Sequence, residues 1–430
     1  MRVAIVAEYY PRAVDPVLGA WAHRQALAAR DAGADVRVLV LHRPLPPLAA
    51  LRARDRTALR AAARQPRRAQ LDGIEVVYVP YLSPPRSLSY GAWGAWAAPA
   101  LRRALRDLRE RFPYDLIHAH YALPAGDAVR RADPRTPCVV SVHGGDVLAT
   151  PHRSAYARRT VQRALGHARL VLANSAGTAR RAEALGARAT TIVHLGTDLP
   201  PAPLGPPARG PGPAPPGEPG GLPPGAAARG PAPAPPGAAA GPPRRPADRP
   251  PTLVTVGHLV ARKRHADVLR ALARLAPAHP DLRYVVVGDG PEREPLRALA
   301  VQLGIAQRVE FAGQLRPAQA RERAREADLF VLPSVDEAFG VAYVEAMAGG
   351  VPAIGCAGED GPEEIAAAGE GLVRVPPRDP AALAQEIDRL LADDAARAAL
   401  AAAARATVER AFTWERCGAA TLAAYARALG

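Results

Sequence analysis

Short apolar runs alternate with longer amphipathic stretches along most of this chain, and that alternation restricts the fold more than any other feature. Runs such as Arg2–Ala7 and Thr252–Val256 are short and rich in valine and isoleucine, which is typical of buried strands. Stretches such as Ala20–Asp31 have the length of a crossover helix. Strands that alternate with helices predict parallel sheets covered by helices on both faces.

The same pattern predicts further elements in both halves of the chain. Strands are predicted at Asp35–Leu41, Ile74–Val79, Leu116–Ala119, Cys138–Val142, Leu170–Ala173, Thr191–His194, Arg283–Val287, Val309–Phe311, Leu329–Leu332 and Pro352–Ile354. Helices are predicted at Pro99–Arg111, Ser154–Leu165, Ala176–Leu185, Ala266–Leu275, Glu292–Leu303 and Ala381–Ala392. The prediction is therefore two doubly wound α/β units of similar size, with ligands bound beyond the carboxyl ends of their strands, in the crevice between the units.

The alternation is interrupted once, by a segment from Pro200 to Pro251 that consists mostly of proline, alanine and glycine. Such a composition buries too little apolar surface to offset chain entropy, so we expect a disordered tether. The predicted organisation is a first domain at 1–199, a tether at 200–251 and a second domain at 252–412. We expect a final helix at 413–430 to pack back on the first domain.

Charge and cysteine content narrow the classes of function. The chain of 430 residues carries a formal net charge of +15, but no interleaving of aromatic and basic residues accompanies it, so nucleic acid is not the predicted partner. The arginine-rich segment Leu51–Arg68 is either a surface helix that rests on anionic lipid or a solvated excursion. Three widely spaced cysteines and no long apolar run predict a reducing, cytoplasmic location without a membrane span.

Two glutamates lie in the most informative stretch, Pro333–Pro352. Gly340 is expected to open a helix after a buried strand, which places Glu337 on the strand-to-helix loop and Glu345 one turn into the helix. The backbone N–H groups near the start of that helix are available to oxygen atoms of a ligand. Carboxylates accept hydrogen bonds from hydroxyl groups, so the pair is suited to a sugar or a ribose.

A single lysine stands among the 56 basic residues of the chain. Lys263 follows the predicted strand Thr252–Val256 and a glycine, and the other 55 basic residues are arginine. The ammonium group of lysine is a compact charge with rotatable donors, whereas the guanidinium group of arginine is a rigid plane. The presence of this one lysine among so many arginines is explained either by chance or by a requirement for a small cation next to a phosphate oxygen.

Histidines follow two predicted strands of the first unit, at His118, His120 and His143. A metal site is disfavoured because their spacing is unlike that of metal ligands and no cysteine accompanies them. The chain also lacks any D-x-D pair, which metal-dependent enzymes commonly use to hold a diphosphate. We therefore expect no metal and no other cofactor.

The motif P-S-x-x-E-x-F-G-x-x-x-x-E-A-M-A-x-G-x-P, together with Val285–Pro291 and Val309–Gly313, resembles the retaining nucleotide-sugar glycosyltransferases of family 4, which have the GT-B fold. The resemblance covers nearly everything outside the tether. It implies that Glu337 contacts the donor sugar and that Glu345 contacts the ribose of the nucleotide. The backbone amides of three residues would hold sugar hydroxyls or phosphate: Phe339, Gly340 and Val341.

The resemblance also gives Lys263 the position of the lysine that meets the donor diphosphate. Two departures accompany this match, because His258 stands where the family has arginine and Arg264 stands where it has glycine. Either His258 or Arg262 is expected to assist Lys263, and the sequence leaves that choice open.

In the first unit the resemblance assigns His143, which begins an H-G-x-D-like segment, to the sugar or the reaction centre. Asp146 is predicted on the acceptor side, and His120 is either an acceptor-side residue or a packed loop residue. Gly19 resembles the glycine loop whose backbone approaches the diphosphate.

The function implied by the resemblance is transfer of a sugar from a nucleoside-diphosphate sugar to a glycan or lipid-linked hydroxyl acceptor, without a metal and with retention of configuration. Envelope polysaccharide or glycolipid synthesis at the inner membrane face is the expected context, with an anionic membrane surface as a further partner. The alternatives are another GT-B enzyme, such as a sugar-nucleotide epimerase or a phosphorylase, and a nucleotide-sugar-binding protein without turnover.

Overall fold

The computed structural model describes residues 1–13, 15–44, 65–84, 89–200 and 249–430. Within them, the first sheet has the strand order β3-β4-β2-β1-β5-β6-β7-β8, and it is parallel except for the antiparallel edge strand β3. Its strands are β1 (Arg2–Ala7), β2 (Asp35–His42), β3 (Arg68–Leu71), β4 (Ile74–Pro80), β5 (Leu116–His120), β6 (Cys138–Val142), β7 (Leu170–Ala173) and β8 (Thr190–Ile192).

The second sheet is parallel throughout, in the order β11-β10-β9-β12-β13-β14. Its strands are β9 (Thr252–Val256), β10 (Arg283–Val287), β11 (Val309–Gly313), β12 (Leu329–Val331), β13 (Ala353–Cys356) and β14 (Leu372–Val375). This is the doubly wound order of nucleotide-binding sheets, in which the direction of winding reverses between β9 and β12.

Helices cover both faces of each sheet. Those of the first half are α1 (Ala20–Asp31), α2 (Trp93–Arg111), α3 (Asp127–Ala132), α4 (Ala155–His167) and α5 (Ala176–Ala184). Those of the second half are α6 (His265–Leu275), α7 (Arg293–Gln302), α8 (Pro317–Arg325), α9 (Val341–Ala348), α10 (Asp360–Ala368), α11 (Pro380–Ala392), α12 (Asp394–Ala411) and α13 (Trp414–Leu429).

Each sheet separates two aliphatic cores. All five residues of β6 are buried, as expected for a parallel strand that is covered on both faces. Helix starts follow ordinary capping chemistry, since the side chains of Ser154, Ser175 and Thr413 accept hydrogen bonds from backbone N–H groups of the helices they precede.

The chain passes between the two sheets at two adjacent places. The N–H group of Thr197 donates to the carbonyl oxygen of Phe412 at 2.9 Å, so the segment after β8 lies beside the segment before α13. Helix α13 then packs on α1 of the first half, where Gly418 lies directly against Ala28. The two crossings form one narrow junction between the halves.

The predicted fold class of two parallel α/β units is confirmed, and most predicted strands appear within two residues of their expected bounds. The short strands β3 and β14 were not predicted. Most of the predicted tether, at 201–248, and most of the basic segment, at 51–64, lie outside the described residues. The domain boundaries stay a prediction.

None of the described helices is both long enough and apolar enough to cross a bilayer.

The contact between α13 and α1 gives a first testable prediction. A Cβ atom at Gly418 would lie 2.2 Å from the carbonyl oxygen of Ala28, so Gly418→Ala forces the two helices apart. We expect the free energy of unfolding, measured by urea titration, to fall by roughly 2–3 kcal/mol. The control is Gly166→Ala in α4, where the nearest atom is 3.4 Å away and the helix propensity of alanine favours the change by about 1 kcal/mol. Equal stability of the two variants would contradict the close packing of α13 on α1.

Candidate active site

The loops that follow β9 and β12 lie side by side at the carboxyl edge of the second sheet. These strands are neighbours, and both loops leave the sheet where its winding reverses. The N–H group of Val335, in the second loop, donates to the carbonyl oxygen of Arg262, in the first, at 2.8 Å. This backbone bond fixes the two loops relative to each other.

Lys263 and Glu337 extend from these two loops and form an ion pair. The Nζ atom of Lys263 lies 2.5 Å from Oε2 of Glu337, and the side chains are only 12% and 8% exposed. The hydroxyl of Ser334 donates to the same oxygen at 2.8 Å, and the guanidinium group of Arg262 lies 3.8 Å from it. Burial by itself raises the pKa of Glu337, but the charges of Lys263 and Arg262 and these hydrogen bonds lower it below its ordinary value.

Two glycines let the loop after β10 pack against the lysine loop. A Cβ atom at Gly288 would lie 2.0 Å from the carbonyl oxygen of Gly257, and one at Gly290 would lie 2.4 Å from that of Leu259. The glycines of the sequence V-V-V-G-D-G-P are therefore required by close backbone contact. His258 lies beside Gly290 and is exposed at the rim of the site.

Arg264, which replaces the glycine expected after the lysine, adopts the left-handed conformation with φ 56° and ψ 32°. Its guanidinium group bonds both carboxylate oxygens of Asp267 at 2.7 and 3.0 Å. Asp267 is itself buried in the first turn of α6, so the ion pair secures a backbone conformation that glycine adopts without strain.

Gly340 starts helix α9 in a left-handed conformation with φ 82°, as the sequence predicted for a helix opening. The N–H group of Tyr343 donates to the carbonyl oxygen of Gly340 at 3.0 Å. The N–H groups of Val341 and Ala342, the first of the helix, have no partner within it and are available to a ligand. The ring of Phe339 points away from this position, because it stacks on His194 at 5.8 Å and packs against Phe412 at 5.6 Å. The ring is therefore structural, and only the amide of Phe339 remains a candidate for binding.

Glu345 lies on the second turn of α9 and contacts Arg321 of α8 at 3.5 Å. A quarter of its side chain is accessible to solvent, but its carboxyl group is largely desolvated. Desolvation raises its pKa to about 7, against the opposing effect of Arg321. The two glutamates of the motif therefore differ in environment: the pKa of Glu337 is lowered, whereas that of Glu345 is raised to about 7.

The part of the first sheet that faces these loops of the second sheet carries a cluster of histidine rings. The Nδ1 atom of His120 lies 3.1 Å from Nε2 of His143, and the two rings stack at 5.3 Å. His118 packs against His120 at 4.4 Å and bonds Ser141 and Tyr425. Burial lowers the pKa of His118 and of His143 to about 3, so these rings are neutral.

Within the described residues, two ring nitrogens of this cluster are buried without a hydrogen-bond partner: Nε2 of His120 and Nδ1 of His143. One of the two rings donates in their shared bond and the other accepts, so the tautomer of the predicted reaction-centre histidine is coupled to that of His120.

Asp146 and Gly19 also make contacts within the protein. The carboxylate of Asp146 is 1% exposed and accepts hydrogen bonds from the N–H groups of Ala122 and His143, both at 3.1 Å. Burial raises its pKa to about 6. Gly19 precedes α1 with φ 65°, and a Cβ atom there would lie 2.2 Å from the backbone of Tyr9. Both residues shape loops, and their predicted contacts with acceptor and diphosphate stay predictions.

The two halves of the site meet through small residues. A Cβ atom at Gly144, next to His143, would lie 2.4 Å from the Cβ of Ala338, next to Glu337. The charge of Arg262 also reaches Tyr121 of the first half and lowers the pKa of that hydroxyl against the larger effect of burial. The structure therefore brings the histidine loop and the glutamate loop together at one crevice.

Sequence reasoning missed three residues that support this site. Ser334 lies within the quoted motif, and its bond to Glu337 follows from its place three residues earlier. Glu359 accepts a hydrogen bond from the N–H group of Glu337 at 3.0 Å, and Arg321 contacts Glu345, but both come from distant segments without a local signal. Among the described residues, no group of three histidine, cysteine, aspartate or glutamate side chains is arranged to hold a metal ion.

Comparison with known proteins decides the family. The family described as Glycosyltransferase Family 4 matches residues 18–200, and the family described as Glycosyl transferases group 1 matches residues 242–407. The chain belongs to the family 4 glycosyltransferases.

One relative matches almost the whole glycosyltransferase. The putative teichuronic acid biosynthesis glycosyltransferase TuaC of Bacillus subtilis is 28% identical over 395 residues, which cover 90% of this chain and 89% of TuaC. Several other curated relatives align over about two-fifths of this chain and less than half of their own length.

Solved structures share the fold of this glycosyltransferase, which is GT-B. Sucrose-phosphate synthase from Thermosynechococcus elongatus superposes with a TM-score of 0.72 at 20% identity, over 99% of this chain and 98% of that one. HepE of Anabaena, solved in complex with UDP and glucose, superposes with a TM-score of 0.65 at 19% identity, over 97% of both chains.

The ion pair of this glycosyltransferase predicts a pH-dependent loss of stability in Lys263→Met. The lowered pKa of Glu337 adds stability above the unfolded pKa, and that stability disappears as the pH falls through the folded pKa. Without Lys263, the largest of the effects that lower the pKa of Glu337 is lost, so less of the cost of burying its charge is offset at high pH. We expect urea unfolding to show a loss of roughly 3 kcal/mol at pH 8 and a smaller loss near pH 5.

The control is Lys263→Arg, which keeps a positive charge near Glu337. A loss in Lys263→Met that is the same at both pH values would contradict the coupling of Lys263 to an ionised Glu337.

Proposed function

We propose that the protein transfers a sugar from a nucleoside-diphosphate sugar to a hydroxyl acceptor, with retention of configuration and without a bound metal. The observation that carries the proposal is the buried pair of Lys263 and Glu337, set at the reversal point of the second sheet and next to the His143 loop of the first. The family membership supports sugar transfer, and the basic residues at this edge support a diphosphate held by side chains.

Lys263 is the proposed contact of the leaving diphosphate. A cation about 4 Å from a phosphate oxygen contributes roughly 4 kcal/mol at an effective dielectric constant of ~20. The diphosphate gains negative charge as the glycosidic bond breaks, so an attraction that grows with that charge lowers the barrier. Arg262 is the better-placed helper of the two candidates, because it already lies near Glu337, whereas His258 lies at the exposed rim.

The ion pair suggests how the site is prepared for its donor. Until a donor binds, Glu337 neutralises the buried ammonium group of Lys263. A diphosphate offers Lys263 a second anion, and a sugar offers Glu337 hydroxyl donors in exchange. Binding thus replaces one satisfied set of contacts with another, and neither buried charge is left unpaired.

The remaining polar groups divide between sugar, nucleotide and acceptor. Glu337, the amides that begin α9 and the free nitrogen of His143 are the proposed contacts of the sugar, and Glu345 is the proposed contact of the ribose. No enzyme nucleophile is included. In this mechanism the acceptor hydroxyl attacks on the face from which the diphosphate departs, and a phosphate oxygen takes the hydroxyl proton.

The acceptor is proposed to be a growing envelope polysaccharide or a glycolipid, which enters from the first half. The name of TuaC, a relative over nine-tenths of the chain, supports a polysaccharide. UDP bound to HepE supports a nucleoside diphosphate at this kind of site without choosing the base. Contact of the segment 51–68 with anionic lipid remains a proposal.

Replacing the lysine tests the reaction directly. A thermal-stabilisation screen of UDP-, GDP- and ADP-sugars identifies the donor, and nucleotide release in the presence of glycan acceptors measures transfer. We expect Lys263→Ala to lose activity by at least a hundredfold, since it removes the charge that stabilises the leaving group. Circular dichroism controls for folding. Normal turnover by a folded Lys263→Ala protein would overturn the proposal.

The same assay separates the competing functions. An epimer formed from the sugar nucleotide without any acceptor indicates an epimerase. Donor binding without nucleotide release across the acceptor panel indicates a binding protein.

The departure at His258 predicts a gain of function. Arginine is charged at every pH that the protein tolerates, whereas histidine carries a charge only when protonated. We expect His258→Arg to lower the KM for the donor several-fold at pH 8. An unchanged KM at that pH would show that His258 does not face the diphosphate.

A further inference from the structure

Four charged side chains form a continuous row from the second half of the protein to the first. Glu345 of α9 contacts Arg321 of α8 at 3.5 Å, and the other terminal nitrogen of Arg321 lies 3.3 Å from Asp198. Asp198 also pairs with Arg24 of α1. We call these four residues the ion-pair ladder.

The ladder starts at Glu345, the proposed contact of the ribose, and ends at the first half. Asp198 follows Thr197, which is bonded to Phe412 where the two chain crossings lie side by side. Arg24 lies on the second turn of α1, and its guanidinium group stacks over the ring of Trp414 at 5.3 Å. The last step of the ladder is thus anchored on both α1 and the start of α13.

Glu345 needs help to act as a hydroxyl acceptor. An ionised carboxylate can accept hydrogen bonds from two neighbouring hydroxyl groups, whereas a protonated one presents a donor and loses acceptor capacity. Its position between two packed helices favours the neutral form, as the raised pKa indicates. The charged groups that face it are Arg321, which opposes this effect, and Asp198, which adds to it.

We propose that Arg321 is a positioning residue for the ribose of the donor: it orients the carboxylate of Glu345, and Asp198 holds Arg321 in place. This inference rests on the proposed function, because it takes the partner of Glu345 to be a ribose. Arg321 donates to Oε1 of Glu345 from a different helix. It therefore fixes the carboxylate although it is not part of the motif that contains Glu345.

The ladder also explains how the orientation of Arg321 is maintained by contacts within the protein. A single exposed ion pair contributes little, because ordering two long side chains has an entropic cost. Here Arg321 bridges two carboxylates and Asp198 bridges two guanidinium groups, so ordering one side chain serves two contacts. Its side chain is 29% exposed, which leaves solvent able to enter when the nucleotide leaves.

The test compares nucleotides with and without ribose hydroxyls. Calorimetry at pH 7.5 measures the binding of UDP, GDP and ADP, and then of the 2′,3′-dideoxy form of whichever binds. We expect Arg321→Ala to weaken the ribonucleotide roughly tenfold, the scale of a hydrogen bond to a charged group. The dideoxy form should change less than twofold, because it makes no contact with Glu345.

Three further variants sharpen the comparison. Arg323→Ala is the matched control, since Arg323 lies on the same helix and pairs with Glu310 and Glu326 instead. It should bind the ribonucleotide as the wild type does. Arg321→Lys should restore part of the affinity, and Asp198→Asn should cause a smaller loss than Arg321→Ala.

The pH dependence of ribonucleotide affinity provides a further test, because a purely structural role of Arg321 would not change it. Ribonucleotide affinity in the wild type should fall as the pH drops through about 7, where Glu345 takes up a proton. Without Arg321 the carboxyl group protonates at higher pH, so the profile of Arg321→Ala should shift upward and its affinity should recover near pH 9. Dideoxynucleotide binding should lack this dependence.

Two results would overturn the inference while leaving the proposed function intact. One is a ribonucleotide affinity of Arg321→Ala equal to that of the wild type. The other is an equal loss for ribonucleotide and dideoxynucleotide, which would indicate a general effect of charge or folding. Failure of the wild type to bind any of the three nucleoside diphosphates would instead overturn the proposed function, and this inference with it.

Discussion

The parallel pairing of β9 with β12 is the constraint on which the site depends. Adjacent parallel strands deliver their following loops to the same edge, and where the winding reverses no helix crosses between those loops. Lys263 and Glu337 therefore meet although 73 residues separate them in the chain. Their ion pair, the bond from Val335 to Arg262 and the glycines of the β10 loop all depend on that meeting.

The sequence predicted those parts of the fold and the site that are encoded locally. The strands were evident because a parallel strand buried on both faces is a continuous apolar run, and Glu337 and Glu345 lie in one contiguous motif. The strands β3 and β14 were missed because four residues such as Arg68–Leu71, half of them polar, carry no periodicity that distinguishes a strand. Arg321 and Glu359 were missed because only the tertiary fold brings them to the glutamates.

The environments of the two glutamates show why a motif by itself does not determine chemistry. Both lie in the same stretch and both are desolvated, and this effect alone raises a carboxyl pKa. Glu337 has two cations and a hydroxyl within reach and stays ionised, whereas Glu345 has one cation and a second carboxylate nearby. The difference arises from neighbours in the loop after β9 and on α8, so it was not visible in the spacing of the motif. It lowers the pKa of one glutamate and leaves that of the other raised to about 7.

The interface between the halves has two parts with different strengths. At the crossings, the backbone bond of Thr197 to Phe412 and the packing of α13 on α1 are held by main-chain and apolar contacts. At the crevice, the halves touch through Gly144 and Ala338 and through polar pairs such as His194 with Glu364. Polar pairs can exchange protein partners for water, whereas apolar packing cannot, so the crevice should separate before the crossings do. A hinge at the crossings and an opening at the crevice then follow from the distribution of contacts. The ion-pair ladder runs beside the crossings and connects Glu345 to the first half there.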